Sequence, residues 1–133
     1  MTYVLDACAM IAYLRREPGW PLVRDLLGDA GNRCVAHGIN LCEVYYDFIL
    51  SHDIKAAKAA LRDLARARVK VRRDMSISFW TSIGELKATR KVSLGDCFAI
   101  VLSKRLDCQV VTSDHREFDP LAADGVCKVM FIR

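Results

Sequence analysis

Long apolar runs and Gly-rich loops are both missing from this sequence. No apolar run approaches the roughly 18 residues needed to span a bilayer, and the 7 glycines never form the spaced loop that binds nucleotide phosphates. No repeat, low-complexity tract or Pro/Gly-rich linker divides the chain. We therefore expect one domain over residues 1–133, with no membrane-spanning segment and no nucleotide-dependent chemistry.

Zinc-finger and thioredoxin-like spacings are also absent, because none of the 6 cysteines forms a C-x-x-C pair. Most of them lie in apolar runs, and free cysteine is among the most buried residue types, so we expect reduced, structural thiols. The segment from Met1 to Asp6 has neither the basic region nor the cleavage site of a signal peptide. These features predict a cytoplasmic protein.

Short apolar runs alternate along the chain with segments of helical period, a pattern typical of an α/β fold with a parallel sheet. Strands are expected at residues 3–5, 33–36, 69–71, 108–112 and 126–132. Helices are expected between Asp6 and Pro18 and at residues 20–27, 39–50, 53–68, 76–89 and 94–106.

Two acidic residues come shortly after predicted strands. Asp6 follows the first strand, and Asp114 follows the strand that ends at Thr112. Ligand sites of open parallel sheets lie beyond the carboxyl ends of the strands. The two carboxylates could therefore meet in one crevice.

Two further acids lie in helices that are otherwise largely apolar. Glu43 shares a helix face with Asn40, three residues earlier. A buried carboxylate without a partner is costly, so Glu43 requires a cation, a hydrogen-bond donor or water. Asp96 comes three residues after Ser93, which is the spacing of a helix-capping box.

Each of these acids also has a purely structural explanation. Asp6 and Asp114 could cap the helices that follow their strands. Asp96 could cap its own helix, and Glu43 could be solvated. Gathered in one cleft, however, such carboxylates would repel each other and raise their pKa values. A hard divalent cation removes that repulsion, prefers oxygen ligands and suits phosphodiester hydrolysis by a metal-activated water.

Four segments of the chain resemble the motifs of a known family. They are residues 4–10 (VLDACAM), 40–44 (NLCEV), 94–97 (LGDC) and 111–119 (VTSDHREFD). Each segment is weakly specific alone. All four in this order, punctuated by strands and helices, resemble the PIN-domain nucleases over essentially the whole chain, and especially the VapC-like toxins of type II toxin–antitoxin pairs.

The resemblance implies a PIN-like three-layer α/β/α sandwich with a central, mainly parallel sheet of four to five strands. It implies an endoribonuclease that depends on Mg²⁺ or Mn²⁺ and hydrolyses RNA phosphodiester bonds. It also implies that Asp6, Glu43, Asp96 and Asp114 surround the metal as ligands and catalytic residues. A small antitoxin protein and a second copy of the chain, forming a homodimer, are the partners that it implies.

Further residues gain a role from the resemblance. Thr112 matches a hydroxyl residue near the metal, and Asn40 matches a supporting polar residue. Cys8 is a departure, since many relatives carry Ser or Thr two residues after the first acid. A thiol is a weak donor, so we expect Cys8 to affect turnover more than metal binding. Asp119 could be an outer acid of the site, but we expect a capping role before Pro120.

Basic residues exceed acidic ones and give a formal net charge of +4, which permits contact with a polyanion. The bases of the predicted helix at 53–68 are expected to form a solvated face. Lys87, Arg90 and Lys91 lead towards Asp96 and are the candidates for binding RNA phosphates. Such contacts position a strand without reading its sequence, and they weaken with salt.

Other functions stay open at this point. A nuclease of this kind could process cellular RNA as a housekeeping enzyme, or cut structured DNA, instead of serving as a toxin. The chain could also be a non-catalytic PIN-like module for RNA binding or scaffolding with a weak metal centre, which the thiol of Cys8 would favour.

Overall fold

Five short strands form a single sheet in the computed structural model, which describes residues 1–133. They are β1 (Thr2–Leu5), β2 (Arg33–His37), β3 (Lys70–Arg72), β4 (Gln109–Thr112) and β5 (Val129–Phe131). Their order across the sheet is β3-β2-β1-β4-β5. Every neighbouring pair is parallel.

Helices cover both faces of this sheet. They are α1 (Ala7–Arg15), α2 (Trp20–Gly28), α3 (Gly38–Ser51), α4 (Ile54–Arg66), α5 (Ile77–Thr89), α6 (Leu94–Arg105) and α7 (His115–Ala123). One core cluster includes buried residues of α1, α2 and α4, and the other includes those of α5, α6 and α7. The chain is therefore the three-layer α/β/α sandwich that its motifs implied. No helix has the length and apolar character required to cross a membrane.

Successive strand residues point into opposite core clusters. Leu5 and Ala36 belong to the cluster with α1 and α4, whereas Val4 and Val35 belong to the cluster with α5 and α6. All four are completely buried. Parallel strands covered on both faces are continuously apolar, which is why short apolar runs identified them in the sequence.

Some predicted boundaries are wrong by a few residues. The helix expected over residues 53–68 ends at Arg66, and Arg68 adopts a left-handed backbone conformation with φ of 70°. The last strand, expected at 126–132, is only Val129–Phe131, since it pairs with Val110–Thr112 of the short strand β4.

Helix α7 was anticipated only through its possible cap, Asp114, and no bounds were predicted for it. It contains Pro120. Proline inside a helix removes a backbone hydrogen bond and clashes with the preceding turn, at a cost of about 3 kcal/mol. Here Asp114 caps the helix, and the Phe118 side chain of the same helix is completely buried in the core. The expected capping role of Asp119 before Pro120 is wrong, because Asp119 lies within α7 and pairs with His115.

The direction in which strands are added reverses between β1 and β4. From β1, the chain adds β2 and β3 on one side and then β4 and β5 on the other. Such a reversal leaves a crevice beyond the carboxyl ends of the two central strands, where open α/β sheets bind ligands. Asp6 follows β1 and Asp114 follows β4, so both acids flank this crevice.

A largely buried carboxylate joins β3 to α6. Asp74 accepts hydrogen bonds from Arg72 at 2.9 Å and from Arg105 at 3.0 Å, and 9% of its side chain is exposed. Its backbone carbonyl accepts a hydrogen bond from Nε2 of His37, at the end of β2. The hydrogen bond from Arg72, followed by that from Arg105, lowers the pKa of Asp74 to about 2.

We expect Asp74→Asn to lower the free energy of unfolding by about 1–3 kcal/mol at pH 7, because two arginines lose their shared counterion. The pKa of Asp74 lies below its unfolded value of 3.8. Its contribution is therefore complete above about pH 4 and disappears as the pH falls to about 2. Urea unfolding across this range measures both effects.

The matched control is Asp25→Asn, which breaks an exposed pair with Arg24. It should change the free energy of unfolding by less than about 0.5 kcal/mol. An equal loss in the two variants would contradict a stabilising role for the Asp74 cluster.

Candidate metal centre

Asp6 is positioned by β1 and fixed by the helix that follows it. The residue is completely buried, and its Oδ1 caps α1 by accepting a hydrogen bond from the Ala9 N–H at 2.8 Å. The Thr112 side chain lies near enough to lower the pKa of Asp6, but Oδ2 has no hydrogen-bond partner of good geometry. A buried carboxylate oxygen without a partner is costly. Oδ2 is therefore available to a cation.

Asp96 is held by a helix cap that uses its backbone N–H and does not use its carboxylate. Ser93 caps α6 and accepts a hydrogen bond from the N–H of Asp96 at 3.3 Å, as the spacing predicted. In a complete capping box, Asp96 would return a bond to the N–H of Ser93. Here Glu117 of α7 accepts that bond instead, with both oxygens 3.2 Å from the Ser93 nitrogen.

Asp114 is oriented by residues on both sides of it. Its backbone N–H donates to Oγ1 of Thr112 at 3.0 Å, and its Oδ1 accepts from the N–H of Glu117 at 3.1 Å. Thr112 is completely buried at the end of β4. As a result, one carboxylate oxygen from each of Asp96, Asp114 and Glu117 lies within 4.8 Å of the other two.

Glu43 reaches the α6 start from α3. Its Oε1 accepts from Nδ2 of Asn40 at 2.8 Å, and the same amide nitrogen donates to the backbone carbonyl of Gly95 at 2.9 Å. Asn40 is completely buried, and its Oδ1 has no partner. The Glu43 carboxylate packs directly against Gly95, where a Cβ atom would overlap Oε1. Gly95 thus makes room for this carboxylate.

The acids lie close enough to influence one another's ionisation. Burial is the largest cause and raises the pKa of Asp6 to about 7, with smaller contributions from the charges of Glu43 and Asp114. Burial also raises the pKa of Asp96, helped by its neighbours Glu117 and Asp6. Burial raises the pKa of Glu43 as well, against the hydrogen bond from Asn40. The four predicted acids therefore share one crevice with Glu117.

Cys8 lies partly buried beside the same carboxylates. Burial, followed by the charges of the acids, raises the pKa of its thiol to about 12. The thiol therefore stays protonated at neutral pH and is not a thiolate nucleophile. It offers only a weak hydrogen-bond donor at this position.

The residues of the crevice fit a hard divalent cation. Oδ2 of Asp6 is buried without a partner, and three more carboxylates present oxygens within 4.8 Å of one another. All of these donors are oxygens, the ligand type that Mg²⁺ and Mn²⁺ prefer. A positive ion would also relieve the repulsion that this arrangement creates.

A groove of about 810 Å³ opens beside Asp114 and Glu117. It is walled by the connection between α5 and α6 and by the start of α7. Its basic lining residues are Lys87, Arg90, Lys91 and Arg116. The three predicted phosphate-binding residues are thus next to the acids, together with an arginine that the sequence analysis did not single out.

Glu117 is the acid that the sequence analysis missed. It comes three residues after Asp114, the same spacing by which Asp96 follows Ser93. That spacing was a usable signal for a helix start, but it does not show that Glu117 lies beside the other acids.

A family model described as the PIN domain matches residues 3–123 of this chain. The matched segment contains all five acids of the crevice. The chain belongs to the PIN-domain family. This PIN domain therefore belongs to a family of nucleases, whereas no curated protein matches it in sequence.

Solved structures similar to this PIN domain include toxin–antitoxin complexes. A DNA-bound VapBC from Salmonella typhimurium has a TM-score of 0.76 at 16% identity, covering 100% of this chain and 99% of that one. VapBC2 from Rickettsia felis, bound to a promoter DNA fragment, has a TM-score of 0.75 at 18% identity, covering 98% of each chain. VapC20 from Mycobacterium tuberculosis, described as a sarcin–ricin loop cleaving toxin, has a TM-score of 0.71 at 12% identity, covering 89% and 94%. At these identities the likeness shows the fold.

We expect Gly95→Ala to displace the Glu43 carboxylate without unfolding the protein, because the added methyl group would overlap the flexible end of that side chain. The nuclease rate should fall about tenfold or more, since small misplacements at a reacting centre are costly. Gly84→Ala, in a helix position with open space around it, is the matched control. It should keep the rate and gain up to about 1 kcal/mol of stability. Equal rates in the two variants would contradict the role assigned to Gly95.

We expect Asp6→Asn to stabilise the metal-free protein by roughly 2–4 kcal/mol at pH 8, because it removes a desolvated charge. The folded pKa of Asp6, about 7, lies above its unfolded value of 3.8. The penalty in the wild type therefore grows as the pH rises from about 4 to about 7 and is complete above it. Thermal unfolding in the presence of a chelator, at several pH values, measures the difference.

The control for this variant is Asp53→Asn. Asp53 also caps a helix through a hydrogen bond from a backbone N–H three residues on, but it is exposed. Its replacement should change the free energy of unfolding by less than about 0.5 kcal/mol. A wild-type protein as stable as Asp6→Asn at pH 8 would show that the buried charge carries no penalty.

Proposed function

We propose that this PIN domain is a Mg²⁺- or Mn²⁺-dependent endoribonuclease and the toxin of a toxin–antitoxin pair. The observation that carries the proposal is the convergence of acids from α1, α3, α6 and α7 where the strand order reverses. One of their oxygens, Oδ2 of Asp6, is buried and has no partner within the protein. Membership of a nuclease family supports the same conclusion.

Asp6, Asp96, Asp114 and Glu117 are the residues that we assign to hold the cation, with Glu43 beside them. A bound divalent cation would polarise a phosphodiester oxygen and make an attacking water more acidic. The helix cap at Asp6 uses only one of the two carboxylate oxygens. Oδ1 of Asp6 is occupied by the Ala9 N–H, while Oδ2 is left over.

Glu43 is the residue that we assign to receive the proton of the attacking water. It is only partly buried, and its Oε1 is fixed by the amide of Asn40. Burial raises its pKa above the ordinary value, which makes it a better proton acceptor near neutral pH. Thr112 keeps Asp114 in place through the hydrogen bond from the Asp114 N–H.

The choice of RNA and of a toxin role is supported by structural relatives. VapC20 is described as cleaving the sarcin–ricin loop, and other relatives were solved as VapBC pairs. An antitoxin or a second copy needs apolar area on the toxin surface. Exposed apolar side chains are available at β3 and the start of α5: Val71, Met75, Ile77 and Trp80.

A second candidate function is an RNA-binding module without turnover. The observation that favours it is Cys8, whose protonated thiol stands beside the carboxylates where many relatives have a hydroxyl. Because a thiol is a weak donor, it would orient water and phosphate less firmly. Such a module would bind Mn²⁺ and RNA but leave the RNA intact.

We expect Asp96→Asn to reduce metal-dependent RNA cleavage roughly 100-fold or more, because the cation loses a charged ligand. Mn²⁺ should raise the Tm of the wild type and have a much smaller effect on Asp96→Asn. Asp25→Asn is the surface control and should resemble the wild type in both assays. Unchanged cleavage by Asp96→Asn would overturn the assigned site, and binding of Mn²⁺ and RNA without any wild-type cleavage would favour the module.

The toxin role is tested with the same variants in cells. Expression of the wild type should arrest growth, and expression of Asp96→Asn should not. Sequencing of RNA ends after brief induction would identify the cleaved target. Cleavage in vitro without growth arrest would instead favour a housekeeping nuclease.

A further inference from the structure

The four basic side chains that line the groove differ in whether they are bonded to other residues of the protein. Lys87 donates from Nζ to the backbone carbonyl of Val92 at 2.8 Å, and Arg90 forms a 2.7 Å ion pair with Asp124. Both interactions hold the connection between α5 and α6 in place. Lys91 and Arg116 form no ion pair and no side-chain hydrogen bond within the chain, and both are exposed. Two of the four basic side chains are therefore bonded within the protein, and the other two are available to a ligand.

Arg116 occupies a position where a positive charge lowers the stability of its helix. It lies in the first turn of α7, where the helix dipole disfavours a positive charge. The acids on either side of it do not neutralise it, because the side chains of Asp114 and Glu117 face Asp96. Residues that break a local rule without an internal compensation are expected at functional positions.

The chemistry of Arg116 matches a phosphate. Its planar guanidinium presents paired donors that bind phosphate oxygens in a bidentate manner. The groove that it lines also contains the carboxylates of Asp114 and Glu117. A nucleic-acid strand in this groove would therefore place one phosphate at the acids and a neighbouring phosphate at the cations.

We propose that Arg116 and Lys91 bind the backbone phosphates that flank the scissile one, whereas Lys87 and Arg90 serve to hold the groove wall. This assignment rests on the proposed ribonuclease function and names the residues that position its substrate. It adds Arg116 to the substrate contacts. It removes Lys87 and Arg90 from direct phosphate binding, because Nζ of Lys87 already donates to a backbone carbonyl and Arg90 already pairs with Asp124.

The test is an equilibrium binding measurement in the Asp96→Asn background, where RNA is not cut. The probe is a fluorescein-labelled single-stranded RNA of mixed sequence, titrated in Mg²⁺ at several salt concentrations. Arg116→Ala should weaken binding about tenfold, and Lys91→Ala should weaken it by a similar or smaller factor. Each should reduce the slope of log affinity against log salt by about 0.7, the value for one lost single-strand phosphate contact. Arg116→Lys should recover part of the affinity, because it restores the charge without the paired donors.

The control is Lys58→Ala, which removes the same charge from an exposed position on α4, a helix that packs on the opposite face of the sheet. Its affinity should stay within about twofold of the reference, since contacts beyond the screening length contribute little. The Tm of Arg116→Ala should be unchanged or higher, because a cation leaves a helix start. The Tm measurement therefore distinguishes a loss of RNA binding from a loss of folding.

Two results would overturn the proposal. If Arg116→Ala and Lys58→Ala weaken binding equally, the groove assignment is wrong while the ribonuclease function stands. If the Asp96→Asn protein binds no RNA at any salt concentration while its fold is intact, the assignment is wrong, and if the wild type also leaves RNA uncut in Mg²⁺ and Mn²⁺, the ribonuclease function is wrong as well.

Discussion

Burial of several carboxylates close to one another is the constraint on which the rest of this structure depends. Five acids share the end of the sheet, and burial raises the pKa of three of them. The fold compensates with backbone N–H groups at helix starts, which hold Oδ1 of Asp6 and Oδ1 of Asp114. Helix starts favour negative charge, so three helices are directed at the place where charge accumulates. The helix starts leave Oδ2 of Asp6 buried without a partner, and we propose that a cation binds there.

The strands and the first four acids could be predicted because they depend on local pattern. Continuous apolar runs identify buried parallel strands, and an acid directly after such a strand must lie at its carboxyl end. Ser93 was recognised as a cap because its partner Asp96 is three residues away. The strands and the capping spacing follow from the chain's own pattern, whereas the gathering of the four acids around a metal was implied by the family resemblance.

The remaining features could not be predicted because their partners are distant in sequence. The Ser93 N–H donates to Glu117, which lies 24 residues further along the chain. The short spacing of a capping box cannot predict this bond. The contact between Gly95 and Glu43 depends on how α3 and α6 pack, and Asp74 is linked to Arg105 across 31 residues. The extent of α7 past Pro120 could not be predicted, because the proline rule is local, whereas the burial of Phe118 that overcomes it is tertiary.

The position of β1 between β2 and β4 has a consequence for the newborn chain. During translation β1 can pair with β2 once residue 37 has emerged, but its other neighbour, β4, begins only at residue 109. Asp114 and Glu117 emerge later still. The five acids therefore cannot come together before residue 117 has emerged, and the proposed metal centre cannot form on a shorter nascent chain.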